Sequence, residues 1–351
     1  MPELIVTNFN RNFTGVSATA AGVLRRQSGQ FDMVLAGHPL PGGPAPVTPL
    51  QAIRMSRQPP PHRPFVIWHV RRNPEMRAAL VARDILRMPI RIVFTSAAIR
   101  RHSALPRWLI SRMDAVIATT DTAAEFVPHV RAVVPHGVDT ARFTPALDRA
   151  EAWAATGFPG NRGIATIGRI RPEKGTDRFV DAMLGLLPGR PGLTALVIGR
   201  AARADAGFLA ELRNRIAAAG LSDRILFPGE VAPEALPALL RALTAVVQLP
   251  RYEGYGMAPL EGMASGVPFV ATDAGYFRRF SDDGRCGLIT GADAASEAVA
   301  ALIDSPLRHA AMARAARAAA ETRYSIEREA EGIATVYEGL WSGRTPPASS
   351  W

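Results

Sequence analysis

Short continuous apolar runs, each about the length of one strand and separated by helical stretches, constrain the fold of this chain more than any other feature. In the first half such runs occupy residues 4–9, 31–36, 65–70, 91–95, 115–119 and 132–134. Most of their apolar residues follow one another rather than alternating with polar ones, as expected for parallel strands buried on both faces. This alternation of strands and helices predicts a doubly wound parallel sheet.

The second half repeats the scheme. Apolar runs occupy 163–167, 194–198, 224–227, 245–249 and 268–271, and helices are predicted at 176–186, 208–219, 233–243, 259–264 and within the Ala-rich segment 294–339. A chain of 351 residues is too long for one ordinary core. We therefore predict an α/β protein of two Rossmann-like domains, residues 1–145 and 146–324, joined near 135–145.

Composition excludes several classes of protein. No apolar run approaches the roughly 18–20 residues of a membrane-spanning helix. The N-terminus lacks the basic segment and apolar block of a secretory signal. The single cysteine, Cys286, excludes an internal disulfide and a cysteine-cluster metal site. We expect a cytoplasmic protein.

The positive charge is confined to the first half. Residues 1–145 carry 18 Arg and Lys against 8 Asp and Glu, whereas residues 146–351 carry 23 of each. A general arginine bias would spread over both halves, so the asymmetry indicates an anionic partner such as an acidic acceptor, a phospholipid surface or nucleic acid. The basic residues are not interleaved with aromatics as in single-strand binders, so we expect no nucleic-acid partner. A solvated basic face is the alternative.

The most informative motif is a strand that runs into a glycine loop and a new helix. Gly254 and Gly256 let the backbone approach a ligand, and a helix beginning near Pro259 offers unpaired N–H groups to an anion. Glu261 is expected in its first turn, where a carboxylate can accept two hydrogen bonds from a ribose diol. Glu253 lies at the carboxyl end of the strand, where open α/β sheets bind ligands. Either glutamate alone could be a capping or turn residue, but the whole run predicts a ligand site.

A second loop carries two cations. Arg169 and Lys174 follow Gly168 at the end of the first strand of the second domain, and Lys174 is the only lysine among 41 basic residues. A guanidinium fork and a compact ammonium together suit a diphosphate. Two such cations can neutralise a leaving diphosphate without a metal, because charge builds on the leaving oxygen in the transition state. Taken alone, they could be solvated surface charges.

Two weaker candidates lie in the first half. His69, near the end of a buried strand, could bind a sugar hydroxyl or the departing phosphate, or could be a satisfied core histidine. Gly15, within the loop 13–17, could belong to a phosphate or acceptor loop. The sequence has no Walker motif, GxSxG elbow, His/Cys metal spacing or clear DxD motif. We expect neither a metal nor a cofactor.

Three motifs together resemble the GT-B retaining glycosyltransferases of family 4. They are Glu253-x7-Glu261, Gly168-Arg169 through Lys174-Gly175, and Val-Pro-His-Gly-Val-Asp at 134–139 with Phe143. The resemblance covers most of the chain and implies two Rossmann-like domains, with a nucleotide-sugar donor in the cleft and held mainly by the second. It also implies metal-independent transfer with retained configuration, and a final helix at about 325–345 that packs back on the first domain.

The resemblance also implies roles for individual residues. Glu261 would hold the ribose and Glu253 would contact the donor sugar, while Arg169 and Lys174 would take the diphosphate and His69 would lie near the transferred sugar. The catalytic candidates are Glu253, Arg169, Lys174 and His69. The other donor-binding candidates come from the glycine loops and the helix start: Gly15, Gly168, Gly254, Tyr255, Gly256 and Met257. The first glycine loop departs from the family, which often carries a glycine pair there.

Within that family, Ile-Trp-His-Val-Arg-Arg-Asn-Pro-Glu-Met at 67–76 resembles the lipopolysaccharide core mannosyltransferases of α-proteobacteria. This implies GDP-mannose as donor and an acidic Kdo-containing inner-core acceptor, with Arg71 and Arg72 as candidates for binding it. Contact with the cytoplasmic face of the inner membrane would fit such a glycolipid. Two alternatives stay open: a GT-B transferase that uses UDP-glucose or UDP-galactose on another envelope glycan, and a nucleotide-sugar epimerase.

Overall fold

The computed structural model describes residues 1–12 and 15–343. The chain forms two compact units, Met1–Gly137 together with the segment from Tyr324, and Val138–Arg323. Each unit contains a six-stranded sheet in which every pairing of neighbouring strands is parallel. The two sheets confirm the predicted α/β class.

The strands match the apolar runs closely. Those of the first unit are β1 Leu4–Asn8, β2 Met33–Gly37, β3 Val66–Val70, β4 Ile90–Ser96, β5 Ala115–Ala118 and β6 Val130–Val133. Those of the second unit are β7 Arg162–Ile167, β8 Leu193–Ile198, β9 Ile225–Gly229, β10 Leu243–Gln248, β11 Phe269–Ala271 and β12 Gly287–Ile289. Sequence reasoning missed β12, in which only Leu288 and Ile289 are large apolar residues.

Strand order explains the pattern of burial. The sheets run β2-β1-β3-β4-β5-β6 and β12-β11-β10-β7-β8-β9. Every residue of the inner strands β1, β3 and β10 is buried, as expected where helices cover both faces of a parallel sheet. In the second sheet β7 and β10 are neighbours. The loops that leave their carboxyl ends therefore emerge side by side.

The helices follow in chain order. They are α1 Gly15–Gln27, α2 Pro49–Met55, α3 Asn73–Leu80, α4 Ala104–Ser111, α5 Asp121–Ala124, α6 Arg149–Ala154, α7 Thr176–Leu186, α8 Ala206–Ala218, α9 Leu236–Ala242, α10 Met257–Ala264, α11 Phe277–Ser281, α12 Ala295–Ile303, α13 Pro306–Thr322 and α14 Ile326–Ser342. A π-helical turn, Val81–Ile85, continues α3, and short 3₁₀ turns occupy Pro172–Lys174 and Arg203–Asp205. None of the helices within residues 1–12 and 15–343 is long and apolar enough to cross a membrane.

Helix α14 belongs to the first unit. Gln27 Nε2 donates to the Ala330 carbonyl at 2.8 Å, and Trp341 Nε1 donates to the Phe65 carbonyl at 3.0 Å. The helix is capped by the Ser325 side chain and ends at Ser342. Of the helix predicted at about 325–345, residues 344 and 345 lie outside the described residues.

The first boundary between the units lies earlier than the predicted residue 145. Val138 and Phe143 are buried, and Arg317 Nη1 of α13 donates to the Phe143 carbonyl at 2.6 Å. Arg317 Nη2 also binds the Thr140 carbonyl at 3.1 Å. These contacts attach the segment 138–145 to the second unit, so the division falls between Gly137 and Val138.

Candidate functional site

The loops after β7 and β10 contact each other at the carboxyl edge of the second sheet. Gly175 has φ +68°, and a Cβ there would lie 1.8 Å from the Leu249 carbonyl oxygen. Arg251 N donates to the Glu173 carbonyl at 2.9 Å. Because only glycine permits this approach, it places the cationic loop against the loop that carries the predicted glutamate.

This contact brings two predicted site residues together. Lys174 Nζ lies 2.5 Å from Glu253 Oε2, and the two side chains are 22% and 20% exposed. Glu253 Oε1 also accepts a hydrogen bond from Gly254 N at 3.0 Å. Sequence reasoning predicted both residues but not the ion pair. A charge-assisted bond of this kind orients both groups before any ligand binds.

A second ion pair holds the same loops and was missed by sequence reasoning. Arg251 binds Asp177 in a bidentate manner, with Nη1–Oδ1 2.8 Å and Nη2–Oδ2 2.6 Å. Asp177 is the second residue of α7, so the pair fastens the β10 loop to the start of that helix. The available signal was the position of Arg251, two residues before Glu253 in the sequence.

The glycine loop before α10 is supported by aromatic packing. Gly256 has φ +98°, and a Cβ there would lie 2.0 Å from the Phe277 ring. The ring of Tyr255 is buried and stacks on Tyr276 with centroids 5.2 Å apart, while Phe280 packs on it edge-on. The predicted donor contact of Tyr255 is therefore restricted to its backbone, because its ring faces the interior of the unit.

Helix α10 begins earlier than predicted. Its first residue is Met257 rather than a residue near Pro259, because the left-handed conformation of Gly256 turns the chain directly into the helix. Glu261 is consequently the fifth residue of α10 and lies in the second turn instead of the first. The half-buried Met257 occupies the helix start.

Glu261 has the most perturbed carboxyl group of this region. Burial raises its pKa from 4.5 to about 7, and the positive charge of Arg142 opposes part of that shift. Within the part of the chain that the structure describes, its carboxyl group forms no hydrogen bond with another side chain or with the backbone. Strongly perturbed carboxyl groups cluster at functional sites, although structural groups show such shifts too. Arg142 was missed by sequence reasoning, although it lies just before Phe143.

Gly168 and Arg169 directly follow β7 and lie in an open position. Gly168 has φ +152°, a Cβ there would meet no atom of the described residues within 4 Å, and Arg169 is exposed. No hydrogen bond or ion pair joins the Arg169 side chain to any residue of the ranges 1–12 and 15–343. The structure thus leaves this guanidinium apart from the Lys174–Glu253 pair.

His69 requires a correction. Its ring has no accessible surface, Nδ1 lies 2.5 Å from the Tyr337 hydroxyl, and Nε2 lies 2.7 Å from Thr95 Oγ1. Burial, together with the charge of Arg71, holds the pKa of His69 well below its usual value of 6.5. In this conformation the ring cannot contact a sugar, so His69 is the satisfied core histidine, and its predicted catalytic contact is wrong for this state of the protein.

The other first-unit candidates lie at the carboxyl edge of the first sheet. Arg71 and Arg72 directly follow β3, and Gly15 is the exposed first residue of α1. Phe13 and Thr14 of the predicted loop lie outside the described residues.

Glu75 organises this edge and was missed by sequence reasoning. Its Oε2 accepts hydrogen bonds from Thr7 Oγ1, Arg71 N and Arg72 N, at 3.0, 2.7 and 3.1 Å. Its Oε1 accepts from Phe9 N and Arg72 Nη1, both at 3.1 Å. The available signal was its position in the first turn of a helix that begins Asn-Pro, where a carboxylate can bind unpaired N–H groups.

No group of three or more His, Cys, Asp and Glu side chains within the described residues is placed to hold a metal ion.

Comparison with known proteins identifies close relatives. The family described as "Glycosyl transferases group 1" matches residues 149–323. The chain is 44% identical over 346 residues to the lipopolysaccharide core biosynthesis mannosyltransferase LpsB of Rhizobium meliloti, with 96% of this chain and 97% of that protein covered. It is 40% identical over 342 residues to the lipopolysaccharide core biosynthesis mannosyltransferase LpcC of Rhizobium leguminosarum bv. viciae, with 96% of each covered.

A solved structure matches almost the whole chain. The crystal structure of Anabaena HepE in complex with UDP and glucose superposes with a TM-score of 0.82 at 18% identity, covering 97% of this chain and 100% of that one. At this identity the similarity shows the fold alone, and it confirms the predicted GT-B class.

Proposed function

The chain belongs to the group 1 glycosyltransferases, a family of enzymes, and from that premise we propose that it transfers mannose from GDP-mannose to a Kdo-containing acceptor of the lipopolysaccharide inner core. The proposal rests above all on the full-length similarity to two lipopolysaccharide core mannosyltransferases. Transfer retains the anomeric configuration and requires neither metal nor cofactor.

The donor binds at the carboxyl edge of the second sheet. Glu261 accepts hydrogen bonds from the ribose, and Arg169 and Lys174 bind the diphosphate. The backbone of the β10 loop and the start of α10 approach the donor at Gly254, Gly256 and the residues beside them. An eight-residue helix that starts behind a left-handed glycine presents free N–H groups and the positive end of its dipole to an anion.

Donor binding begins at the Lys174–Glu253 ion pair. Before the donor binds, the Glu253 carboxylate compensates the Lys174 ammonium at 2.5 Å. A diphosphate that approaches Lys174 forms an ion pair with the same ammonium. Glu253 Oε2 then becomes free to accept a hydrogen bond from a hydroxyl of the transferred sugar. Charge that develops on the leaving diphosphate is then stabilised by Lys174 and Arg169 in place of a metal ion.

A transfer assay tests the proposal. The purified protein is incubated with GDP-mannose and Kdo-lipid A, with and without EDTA, and the product is analysed by mass spectrometry and by NMR of the new glycosidic bond. We expect one added hexose, a retained configuration and no loss of rate in EDTA. A thermal-shift series with GDP and UDP reads the base, and stabilisation by UDP alone would favour a UDP-hexose donor. Release, without an acceptor, of a sugar whose configuration is inverted at one ring carbon would indicate an epimerase.

An exposed apolar patch on the first unit supports peripheral contact with the membrane that carries such an acceptor. Ile85 and Leu86 follow α3, while Leu105 and Trp108 lie on α4, and each is 47% or more exposed. Positions 105 and 108 share one face of α4, because residues three apart are neighbours on a helix. Large apolar side chains grouped on a surface mark interaction sites more often than single ones.

An ion pair joins the two segments that carry this patch, and the exposed arginines beside it favour an anionic partner. Arg112 Nη2 lies 3.4 Å from Asp84 Oδ2, which joins the end of α4 to the π-helical turn. Arg87, Arg101 and Arg107 are exposed in the same two segments. Tryptophan beside arginine suits the headgroup region of an anionic bilayer. We assign the patch to the cytoplasmic face of the inner membrane.

Vesicle co-sedimentation tests this assignment. We expect binding to vesicles that contain phosphatidylglycerol, loss of binding in high salt, and a several-fold weaker interaction for Trp108→Ser. Leu307→Ser is the matched control, because Leu307 is 87% exposed and lies on the second unit. Equal binding of the two variants would exclude this patch as the membrane contact.

A further inference from the structure

The structure separates the two arginines that follow β3. Arg72 is a structural residue: its Nη1 binds Asn8 Oδ1 and Glu75 Oε1, both at 3.1 Å, and its Nη2 binds Ser17 Oγ at 2.9 Å. The guanidinium thereby joins the end of β1, the first turns of α1 and the start of α3. Its side chain is 17% exposed, so little of it is left for a ligand.

Arg71 has no such partners. Its backbone N–H binds Glu75, but its guanidinium Nη1 is buried without a hydrogen-bond partner. Among residues 1–12 and 15–343, no side-chain hydrogen bond or ion pair of Arg71 is present. Burial lowers the pKa of Arg71, yet an arginine stays charged at neutral pH. A half-buried cation without a partner costs folding free energy, so an anion that binds it is favoured.

The neighbouring carboxylates are already engaged. Glu329 Oε1 lies 2.7 Å from His136 Nδ1, and Glu329 Oε2 accepts from Gly137 N at 2.8 Å. Glu75 accepts five hydrogen bonds, and none of them comes from the Arg71 guanidinium. Both carboxylates contribute a favourable field at Arg71 without bonding to its guanidinium. The donors of the Arg71 guanidinium are therefore unused by either carboxylate.

We propose that the Arg71 guanidinium receives the acidic group of the acceptor, a carboxylate or phosphate that presents two oxygens to the fork. This inference rests on the proposed transferase function and assigns the acceptor's anionic group to Arg71 and not to Arg72. Arg71 follows the carboxyl end of a central parallel strand, the edge at which open α/β sheets bind ligands. A planar guanidinium matches both oxyanions in a bidentate geometry.

Thermal unfolding gives a test that does not depend on catalysis. Arg71→Ala removes an uncompensated charge, so we expect an unchanged or higher Tm. Arg72→Ala breaks the hydrogen bonds to Asn8, Glu75 and Ser17 and removes the cation that pairs with Glu75, so its Tm should fall. Arg77→Ala, an exposed arginine of α3, is the control for net charge and should change neither stability nor ligand binding. A Tm of Arg71→Ala reduced as far as that of Arg72→Ala would assign Arg71 a structural role and overturn the proposal.

Acceptor recognition is tested with three soluble ligands: a Kdo glycoside, the same glycoside with its carboxylate reduced to an alcohol, and a phosphorylated neutral sugar. Binding is measured by calorimetry in the presence of GDP, and transfer is measured separately. In the wild type we expect one anionic ligand to bind about tenfold to a hundredfold more tightly than the alcohol, a preference that Arg71→Ala abolishes and Arg77→Ala keeps. The ligand whose advantage disappears identifies the carboxylate or the phosphate as the group bound.

The outcomes separate this inference from the proposed function. A preference for an anionic ligand that is equal in the wild type and in Arg71→Ala overturns the inference, as does a wild type with no such preference. Arg71-dependent binding without transfer of mannose supports the inference and contradicts the proposed activity.

Discussion

Ionisation of Glu261 should control donor binding near neutral pH. Burial raises the pKa of this carboxyl group to about 7. The ionised form offers both oxygens as acceptors to a ribose diol, whereas the protonated form uses one oxygen as a donor. Donor affinity is therefore expected to rise as the pH increases through 7, and Glu261→Gln should remove this dependence.

The pKa of Glu261 sets the size of the expected change in donor affinity. With a value of about 7, roughly 9% of Glu261 is ionised at pH 6 and roughly 91% at pH 8, so the Kd for GDP-mannose should fall about tenfold, or about 1.4 kcal/mol. The free energy of unfolding depends on pH with the opposite sign: it falls as the pH rises. The pKa is raised on folding from 4.5, so the contribution to stability is fully present below pH 4.5 and is lost as the pH rises through 7. The loss is at most about 3 kcal/mol, and Glu261→Gln should recover part of it at pH 8.

Isothermal calorimetry of GDP-mannose at pH 6, 7 and 8 provides the assay. This donor is suitable because its diphosphate carries an ester at each end and does not titrate in that range. We expect Glu261→Gln to bind about tenfold more weakly than the wild type at pH 8 and with no change between pH 6 and 8. Glu297→Gln, which changes an exposed glutamate of α12, is the charge-matched control and should keep the wild-type profile.

Two results would refute this reasoning. One is a wild-type Kd that is the same at pH 6 and pH 8. The other is a folded Glu261→Gln protein that binds GDP-mannose as tightly as the wild type at pH 8. Either result would mean that the ribose is bound elsewhere and that the perturbed pKa of Glu261 reflects packing alone.

Three further predictions concern the two cations of the β7 loop, the buried His69 and the charge excess of the first half. Lys174→Ala and Arg169→Ala should each lower kcat more than they raise the donor KM, because the leaving diphosphate gains charge in the transition state; steady-state kinetics showing the reverse would indicate ground-state binding only. His69→Ala should lower the free energy of unfolding by about 2–4 kcal/mol through a cavity and two unpaired hydroxyl groups, while kcat of the folded variant changes by only a few-fold; an unchanged Tm with a large loss of kcat would restore its catalytic role. Raising salt from about 50 to about 500 mM should raise the acceptor KM more than the donor KM, since the first half carries the charge excess, whereas equal sensitivity would separate that charge from acceptor binding.

The sequence by itself determined the elements and their class. Continuous apolar runs located eleven of the twelve strands found within residues 1–12 and 15–343, and the helix predicted at 176–186 has the bounds of α7. This prediction succeeded because a parallel strand that is buried on both faces consists of consecutive apolar residues. The motif glycines were equally readable, since the left-handed conformation of Gly256 and the close approach at Gly175 are requirements of single positions.

Only the tertiary structure decided which of the predicted residues meet. Lys174 and Glu253 are 79 residues apart, and their ion pair depends on β7 and β10 being neighbours in the sheet. His69 and Tyr337 are 268 residues apart, and the packing of α14 on the first sheet turned a predicted catalytic histidine into a core residue. Arg71 and Arg72 are adjacent and identical in type, yet one is bound on three sides and the other has no side-chain partner within the described residues. Local sequence fixes which chemical groups a chain carries, but their pairing is set by contacts between distant segments, which no local pattern encodes.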